Sequence, residues 1–400
     1  MAMKVYVEES GTPIYNRIAH ALGRALVMLG NEVLLVKPAG FTTATYDEFL
    51  RKQDDTSVYV TTNEPNIVNG VVPGTDMYFF ERFPGRVIFV RQDAMLGGAT
   101  LLGAISRLRA WQRVAARSAH LCLEPNNVDD LKSLGIAARA VAHATEVAPV
   151  APAEDGFEFD ANFIGHVVPS VYSPAGSTPA AQRVVETAMT ARRERLDTPL
   201  EPMLREHARA MDGFGSPADN ALLRIAAAQW LRTEIHGQTM PFRGWVLENA
   251  QLESLDVIGG DPAYLHRVDR HLALDRPGIT MHPAVYDAER LQQIFNRSRV
   301  SLNLTALQFD HAVINRFHDA TMAGGLCLMD RRPGLAELTS AHAEISFNDV
   351  SELAERVRYF ADPRHASERA SLIRKLQADV LAGSGYDKLA QAITECVAAM

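Results

Sequence analysis

Two doubly wound α/β domains are what this amino-acid sequence predicts, and three observations predict them. The chain has 400 residues, more than one hydrophobic core ordinarily organises. Apolar β-rich runs alternate with helical periodicity in both halves, the pattern of a parallel sheet with helices on both faces. A Pro- and Ala-rich stretch, VAPVAPAEDG at 147–156, separates the halves as a linker. These signals place one domain over 1–150, a second over 157–385 with a helical insertion at about 178–250, and a last helix over 386–400. Two such sheets are expected to face each other across a cleft, because ligands bind outside the carboxyl ends of such strands.

In the first half, 4–7 reads as a short strand. Ile14, Ile18, Leu22, Ala25 and Leu29 share one helical face, so a helix is expected over 14–29, stopped by Gly30. The run 32–36 has the continuous apolar character of a buried parallel strand. Further strands are expected at 57–60, 86–90, 120–123 and 138–141. Helices are expected over 101–118 and, with Asn127 as its cap, up to Leu134 and the stop at Gly135. In the second half a strand at 161–164 is followed by a mostly helical stretch, 178–249. Strands then recur at 255–258, 300–304, 326–329 and 344–347. Helices are expected at 287–297, 315–323 and 350–360, and helices continue to the end. No internal repeat is present in the sequence.

The composition is 47% hydrophobic and 22% charged, that of a soluble globular chain. Formal charge is −8, from 48 acidic against 40 basic residues, with no long basic run; this argues against broad electrostatic binding to nucleic acid. Arg192, Arg193 and Arg195 form a short cluster flanked by acids, read as a solvated helix face or as a docking point for an acidic surface. The three cysteines, Cys122, Cys327 and Cys396, are far apart, which gives neither a disulfide framework nor a metal spacing. The start, MAMKVYVEES, lacks the pattern of a signal peptide, and no apolar run approaches the ~20 residues that span a bilayer. A cytoplasmic setting without a transmembrane segment is expected; peripheral membrane contact stays open.

The stretch 286–360 carries the chemistry. Asn315, Arg316 and Asp319 open one helix, and Gly324 and Gly325 close it. A helix start with a cation, a carboxylate and free N–H groups suits a ligand that has both phosphates and a sugar diol. A nucleotide sugar is such a ligand. Other chemistries lack their motifs: there is no G-x-x-x-x-G-K-[ST], G-x-G-x-x-G or G-x-S-x-G. His, Cys and acids show no metal-ligand spacing, and no Asp-x-Asp pair marks a metal-dependent donor site. The expectation is therefore metal-independent chemistry with no cofactor, the nucleotide sugar being substrate.

Several segments in order resemble one family. They are NFIGH (162–166), DVIGG (256–260), FNRSRVSLNLT (295–305), NRFHDATMAGGLCLMD (315–330), GLAELTS (334–340) and EISFNDVSELAERVRYFADP (344–363). Over about 157–386 the chain resembles the CgeB-like branch of the group 1 glycosyltransferases. The resemblance implies a GT-B-like architecture of two Rossmann-like domains, with the acceptor in the first and the nucleotide-sugar donor in the second. It implies a hexosyltransferase-like enzyme acting on an acceptor hydroxyl or other nucleophile of a glycan, lipid-linked, protein or small-molecule acceptor. It also implies that Asp319 accepts hydrogen bonds from the ribose hydroxyls. The family usually carries Glu there; Asp keeps the charge and shortens the arm.

The remaining candidates follow from position. Arg316 can neutralise a diphosphate whose charge grows as the sugar–phosphate bond breaks, or pair with Asp319 or Asp310. Asn315 is either helix cap or ligand contact. Gly324 and Gly325 either admit a ligand to the backbone or form the helix C-cap. Gly165 follows a strand end where phosphate can approach the backbone, and His166 beside it can donate to phosphate or a sugar hydroxyl. His311 and Thr305 occupy the loop before the same helix, and His282 a loop near the expected nucleobase. Glu337 reads as a helix-surface residue. In the first domain Glu8, Glu9 and Gly11 follow the first strand and Asp93 the strand at 86–90; Glu9 and Asp93 are the candidate general bases. Two other functions share these features, a non-hydrolysing sugar-nucleotide epimerase and a non-catalytic nucleotide-sugar-binding or scaffold subunit.

Overall fold

The computed structural model describes residues 2–9, 13–37, 41–62, 69–93, 95–96, 100–167, 178–211, 215–259 and 277–400. The chain begins β1 (Lys4–Glu8), α1 (Pro13–Met28), β2 (Glu32–Val36), α2 (Thr43–Leu50) and β3 (Val58–Thr61). It continues β4 (Arg86–Arg91), α3 (Leu101–Arg113), β5 (Ser118–Cys122), α4 (Pro125–Ser133) and β6 (Ala137–Ala140). Next come β7 (Phe159–Ile164), α5 (Pro179–Glu194), α6 (Glu201–Ala208), α7 (Pro217–His236), α8 (Thr239–Asn249), β8 (Leu255–Ile258) and β9 (Ile279–His282). Then follow α9 (Ala288–Asn296), β10 (Ser298–Asn303), α10 (Asn315–Met322), β11 (Cys327–Asp330), α11 (Pro333–Leu338), α12 (His342–Ile345) and β12 (Ser346–Phe347). Three helices end the chain: α13 (Val350–Ala361), α14 (Ala366–Gly383) and α15 (Tyr386–Ala399).

These elements form two compact units. One comprises Met1–Ala142, Glu201–Thr233 and Gly385–Met400; the other comprises His143–Leu200 and Glu234–Ser384. Each is built on a six-stranded sheet, ordered β2-β1-β3-β4-β5-β6 in the first and β12-β11-β10-β7-β8-β9 in the second. All neighbouring strands in both sheets pair in parallel. Strands β3 and β7 are buried on both faces, as Val58, Tyr59 and Val60 show in the first unit and Ala161, Asn162 and Phe163 in the second. This is why β3 reads as a continuous apolar run, whereas β7 carries the buried Asn162 within it.

The core of the first unit is aromatic, with Tyr46, Tyr59, Phe80, Phe83, Phe89 and Trp111 in one cluster. Leu222, Ile225 and Ala226 of α7 join that cluster. The stretch at about 178–250, expected as one insertion in the second domain, is therefore divided: Glu201–Thr233 packs within the first unit. Polar contacts reinforce this, since Gln229 Nε2 donates to Asn127 Oδ1 at 2.9 Å and Arg205 pairs with Asp130 at 2.9 Å.

Several boundaries differ from the sequence reading for local reasons. Asn127 lies inside α4 instead of capping it, because Pro125 occupies the first turn and Glu124 is the cap residue. The helix expected over 101–118 ends at Arg113, and a single 3-10 turn leads into β5, which starts at Ser118. Helix α2 was not foreseen; Thr42 and Thr45 start it with a reciprocal capping box. The strand expected at 344–347 shrinks to Ser346–Phe347 because 342–345 form a helical turn. Cys122 and Cys327 are buried as expected, and burial pushes both thiols up to about 12.

Candidate functional site

The order of the second sheet locates its ligand position. From β7 the chain moves outward through β8 to β9, then returns to β10 on the other side of β7. The strand order thus reverses between β7 and β10, and the crevice beyond their carboxyl ends is where such sheets bind ligands. The residues ending these strands are Ile164 with Gly165, and Asn303 with Leu304 and Thr305.

Gly165 has φ +153 and its N–H donates to Ile258 O at 2.8 Å. A Cβ there would lie 3.1 Å from the Phe163 ring and 3.3 Å from Arg316 Nη2. The missing side chain therefore leaves room for a guanidinium. Gly259, at φ +115, repeats the device, since a Cβ on it would lie 2.8 Å from Gly165 O. Replacing Gly165 with alanine is expected to cost roughly 1–2 kcal/mol of stability through strain and crowding at this turn. It should also displace Arg316 and weaken nucleotide binding about tenfold, ~1.4 kcal/mol. Denaturant titration and calorimetry on the same variant separate the two effects.

Two arginines converge here. The guanidinium of Arg316 lies 5.8 Å from the Phe163 ring centre, and that of Arg243 lies 5.9 Å from it. Arg316 Nη1 donates to Asn303 Oδ1 at 3.3 Å, and Arg243 Nε to Leu304 O at 3.0 Å. Burial, and next the Arg316 charge, brings Arg243 down to about 9. Burial lowers Arg316 as well, with the Asp319 carboxylate opposing it. Both remain cationic at neutral pH. Two partly desolvated like charges around one ring are stabilised by an anion placed between them. Buried donors add to the demand: neither Asn303 Nδ2 nor Thr305 Oγ1 has a hydrogen-bond partner.

The other expected site residues divide. Asn315 is the first residue of α10, and Ile314 is its cap residue, so Asn315 is not the N-cap. Asp319 therefore falls in the second turn, where its Oδ1 accepts from Thr145 Oγ1 at 2.8 Å. Asp310 is taken by Arg192 at 2.6 Å. His166 is exposed at the rim, with Nδ1 3.2 Å from Gly259 O. Gly165, Thr305, Asn315, Arg316 and Asp319 thus share the carboxyl end of β7 and β10 and the first two turns of α10.

Four other candidates make their contacts to protein. Gly324 (φ +84) and Gly325 sit at the far end of α10, a helix about 12 Å long. A Cβ on Gly324 would meet Asn296 Nδ2 at 2.6 Å and Val150 O at 2.8 Å; one on Gly325 would meet Phe295 O at 2.6 Å. Their close approach is to protein, and they form the helix closure. His282 ends strand β9 instead of lying in a loop, and its Nε2 is 2.6 Å from Asp256 Oδ1, which holds the ring against the sheet. His311 pairs with Glu337 at 2.9 Å, and its carbonyl accepts from Gly334 N at 3.0 Å.

In the first unit, Glu9 is buried beside His20 Nε2 at 2.5 Å and Lys37 at 3.5 Å. Asp93 accepts a hydrogen bond from the Tyr15 hydroxyl. Both candidate bases follow strand ends. Gly11 lies outside the described residues.

The loop between β10 and α10 is fixed from beneath. Arg192 has no exposed side-chain surface, so the expected solvated face holds only for Arg193 and Arg195. Its guanidinium reaches Leu196 O at 2.6 Å and Asp310 Oδ1 at 2.6 Å, and Asp310 Oδ2 accepts from Leu200 N at 2.9 Å. Asp330 accepts from Thr305 N at 2.8 Å while pairing with the equally buried Arg332. These contacts preorganise the loop that carries Thr305. Sequence reasoning missed Arg243, Arg192 in this role, and Asn303. Only Asn303 carried a signal, as the Asn of the SRVSLN strand pattern.

Comparison with known proteins gives a consistent class. Residues 222–395 match a family described as glycosyl transferase-like. No curated protein sequence matches the chain. Among solved structures, sucrose-phosphate synthase from Thermosynechococcus elongatus is 12% identical, with TM-score 0.56 and 98% of each chain covered. T4 phage BGT in complex with its UDP-glucose substrate is 10% identical, with TM-score 0.52, covering 100% of this chain and 98% of that one. An alpha-glucosyltransferase in complex with UDP and a 13-mer DNA is 12% identical, with TM-score 0.52 and 100% of each chain covered. The fold is that of the GT-B glycosyltransferases, two parallel sheets each flanked by helices. Within it, the carboxyl-terminal part of this chain carries the glycosyl transferase-like region. No helix among the described residues is long and apolar enough to cross a membrane.

Proposed function

We propose that this chain is a glycosyltransferase of the CgeB-like branch that moves a sugar from a nucleotide-sugar donor to an acceptor nucleophile. The observation that carries this reading is the convergence of Arg243 and Arg316 on Phe163 at the reversal point of the second sheet. Two guanidiniums, the free Asn303 amide and the Thr305 hydroxyl offer donors to a diphosphate. Acceptor oxygen attacks the anomeric carbon, the bond from that carbon to the phosphate oxygen breaks, and the acceptor proton passes to a base. Negative charge then develops on the departing diphosphate, where fixed cations stabilise the transition state more than the ground state. The arginine pair supplies that charge without a metal. Glu9 and Asp93 are the proposed bases.

Asp319, one turn beyond Arg316, is the proposed acceptor for the ribose diol, and its Oδ1 also accepts from Thr145 Oγ1. The solved neighbours that hold UDP or UDP-glucose make uridine nucleotides the first donors to test. Asp319→Ala is expected to weaken binding of the responsive nucleotide about 10- to 100-fold, since hydrogen bonds to a charged group contribute ~1.5–3 kcal/mol. The fold should be unaffected. Calorimetric titration checks this: unchanged affinity for every nucleotide sugar removes Asp319 from the site. Sugar inversion without an acceptor would identify an epimerase instead.

A further inference from the structure

The first unit holds a second unsatisfied cluster, on one face of its sheet near the carboxyl ends of the strands. Arg91 is the last residue of β4 and is only 3% exposed. Its guanidinium lies over two neighbouring rings, 4.7 Å from the centre of Phe89 and 4.6 Å from that of Trp111. Contact with the ring faces offsets part of the cation's desolvation but uses none of its N–H groups. Nε and Nη2 are both buried without hydrogen-bond partners. Trp111 Nε1 and both ring nitrogens of His120 are in the same condition. His120 stacks on Phe89 at 4.4 Å and meets Trp111 at 4.5 Å, so the groups are contiguous.

Register explains the placement. Phe89 pairs with His120, and Arg91 with Cys122, so Arg91 stands one pleat nearer the strand ends than the aromatic row. The cluster is rich in donors: guanidinium and indole donate only, and a neutral imidazole donates from one nitrogen. Buried donors left open in a folded protein call for an explanation. Glu8 supplies opposite charge nearby and helps keep Arg91 protonated. A counter-charge at a distance leaves the N–H groups themselves unpaired.

We infer that the first unit binds an oxyanion, a carboxylate or phosphate group, on Arg91 at the carboxyl end of β4. The planar fork of arginine matches either group with paired hydrogen bonds. Asp93, a proposed base, lies two residues further along the chain. The natural carrier of the oxyanion is then an acidic acceptor; that assignment rests on the transferase reading, whereas the binding itself does not.

The test uses the full chain carrying Arg316→Ala, which weakens the phosphate grip of the second unit. Inorganic phosphate, glycerol 3-phosphate and D-glucuronate are titrated, with glucose as the neutral control. Melting temperature and tryptophan emission are read, and Trp111→Phe identifies the Trp111 contribution. The expected result is a raised melting temperature and altered Trp111 emission with at least one oxyanion and no response to glucose. Response to glucuronate alone marks a carboxylate site, and response to the phosphates alone a phosphate site. Arg91→Met should weaken the response at least tenfold. Should that variant not fold, Arg91→Lys replaces it; it keeps the charge, lacks the fork, and must also lose the response. No response to any oxyanion, or an undiminished response in the Arg91 variants, overturns the inference. Nucleotide titration of the unaltered chain is read separately, so its failure would sink the transferase reading alone.

Discussion

Replacing Arg316 with alanine is expected to weaken nucleoside diphosphate binding about 100-fold, or ~2.7 kcal/mol, and to reduce turnover further. Among the described residues Arg316 makes one long hydrogen bond, to Asn303 Oδ1 at 3.3 Å. It is therefore poorly used by the fold and available to a ligand. Arg316→Lys should recover only part of the loss, because an ammonium keeps the charge but not the paired donors. Arg243→Met should show a comparable loss in affinity and a larger loss in stability, since Arg243 Nε also holds Leu304 O. If both cations grip one diphosphate, their losses will not add, and the double variant will cost clearly less than the sum. Calorimetry on the four proteins of the cycle checks this. Independent, additive losses would place the two arginines at separate tasks.

How much of this site could be read in the sequence depended on whether the physical signal was local. Apolar runs marked Glu32–Val36 and Leu255–Ile258 to the residue, but the first was read as a buried strand, whereas β2 is the edge of its sheet and leaves Leu34 and Leu35 exposed. Strand β9 was not marked, because its four residues ahead of Pro283, three half-buried and one exposed, give no such run. The start at Asn315 was found to the residue, but that of α4 was misplaced because two signals competed: Asn127 is a good cap, yet Pro125 sets the actual start. Periodicity says which face of a helix is buried and not against what. That is why Leu222, Ile225 and Ala226 gave no hint that they belong to the first unit. Arg316 was legible because it opens a helix behind a loop. Arg243 lies in α8, sixty residues before the strand end it serves, and nothing near it in the sequence marks it. Arg192 was hidden by its company, since a run of three arginines reads as surface while only one of them turns inward.

Acid is expected to unfold the second unit well before carboxylates begin to titrate. Burial lowers His143 to about 3, and His236 and His318 to about 4; all three belong to that unit. The first unit has one fully buried counterpart, His120, also held well below its ordinary value by burial. In the unfolded chain these imidazoles protonate near pH 6.5, whereas in the folded chain they stay neutral. Between about pH 6.5 and 4 the unfolded state therefore binds more protons, so stability rises with pH across that window and is lost as pH falls through it. Each histidine adds up to ~1.4 kcal/mol per pH unit, so three acting together approach about 4 kcal/mol per unit in the second unit against about 1.4 in the first. Asp349 and Asp362, held low by hydrogen bonds to Ser351 and Arg364 respectively, act only at more acid pH and leave this window to histidine. Denaturant unfolding at half-unit steps from pH 7.5 to 4.5 should resolve two transitions that separate as pH falls. His120→Phe, which keeps the stack on Phe89 and removes the titrating ring, should flatten only the transition of the first unit. Stability unchanged from pH 7 to 5 in both transitions would mean that these imidazoles find proton acceptors once charged, and would overturn the assignment of the acid limb to them.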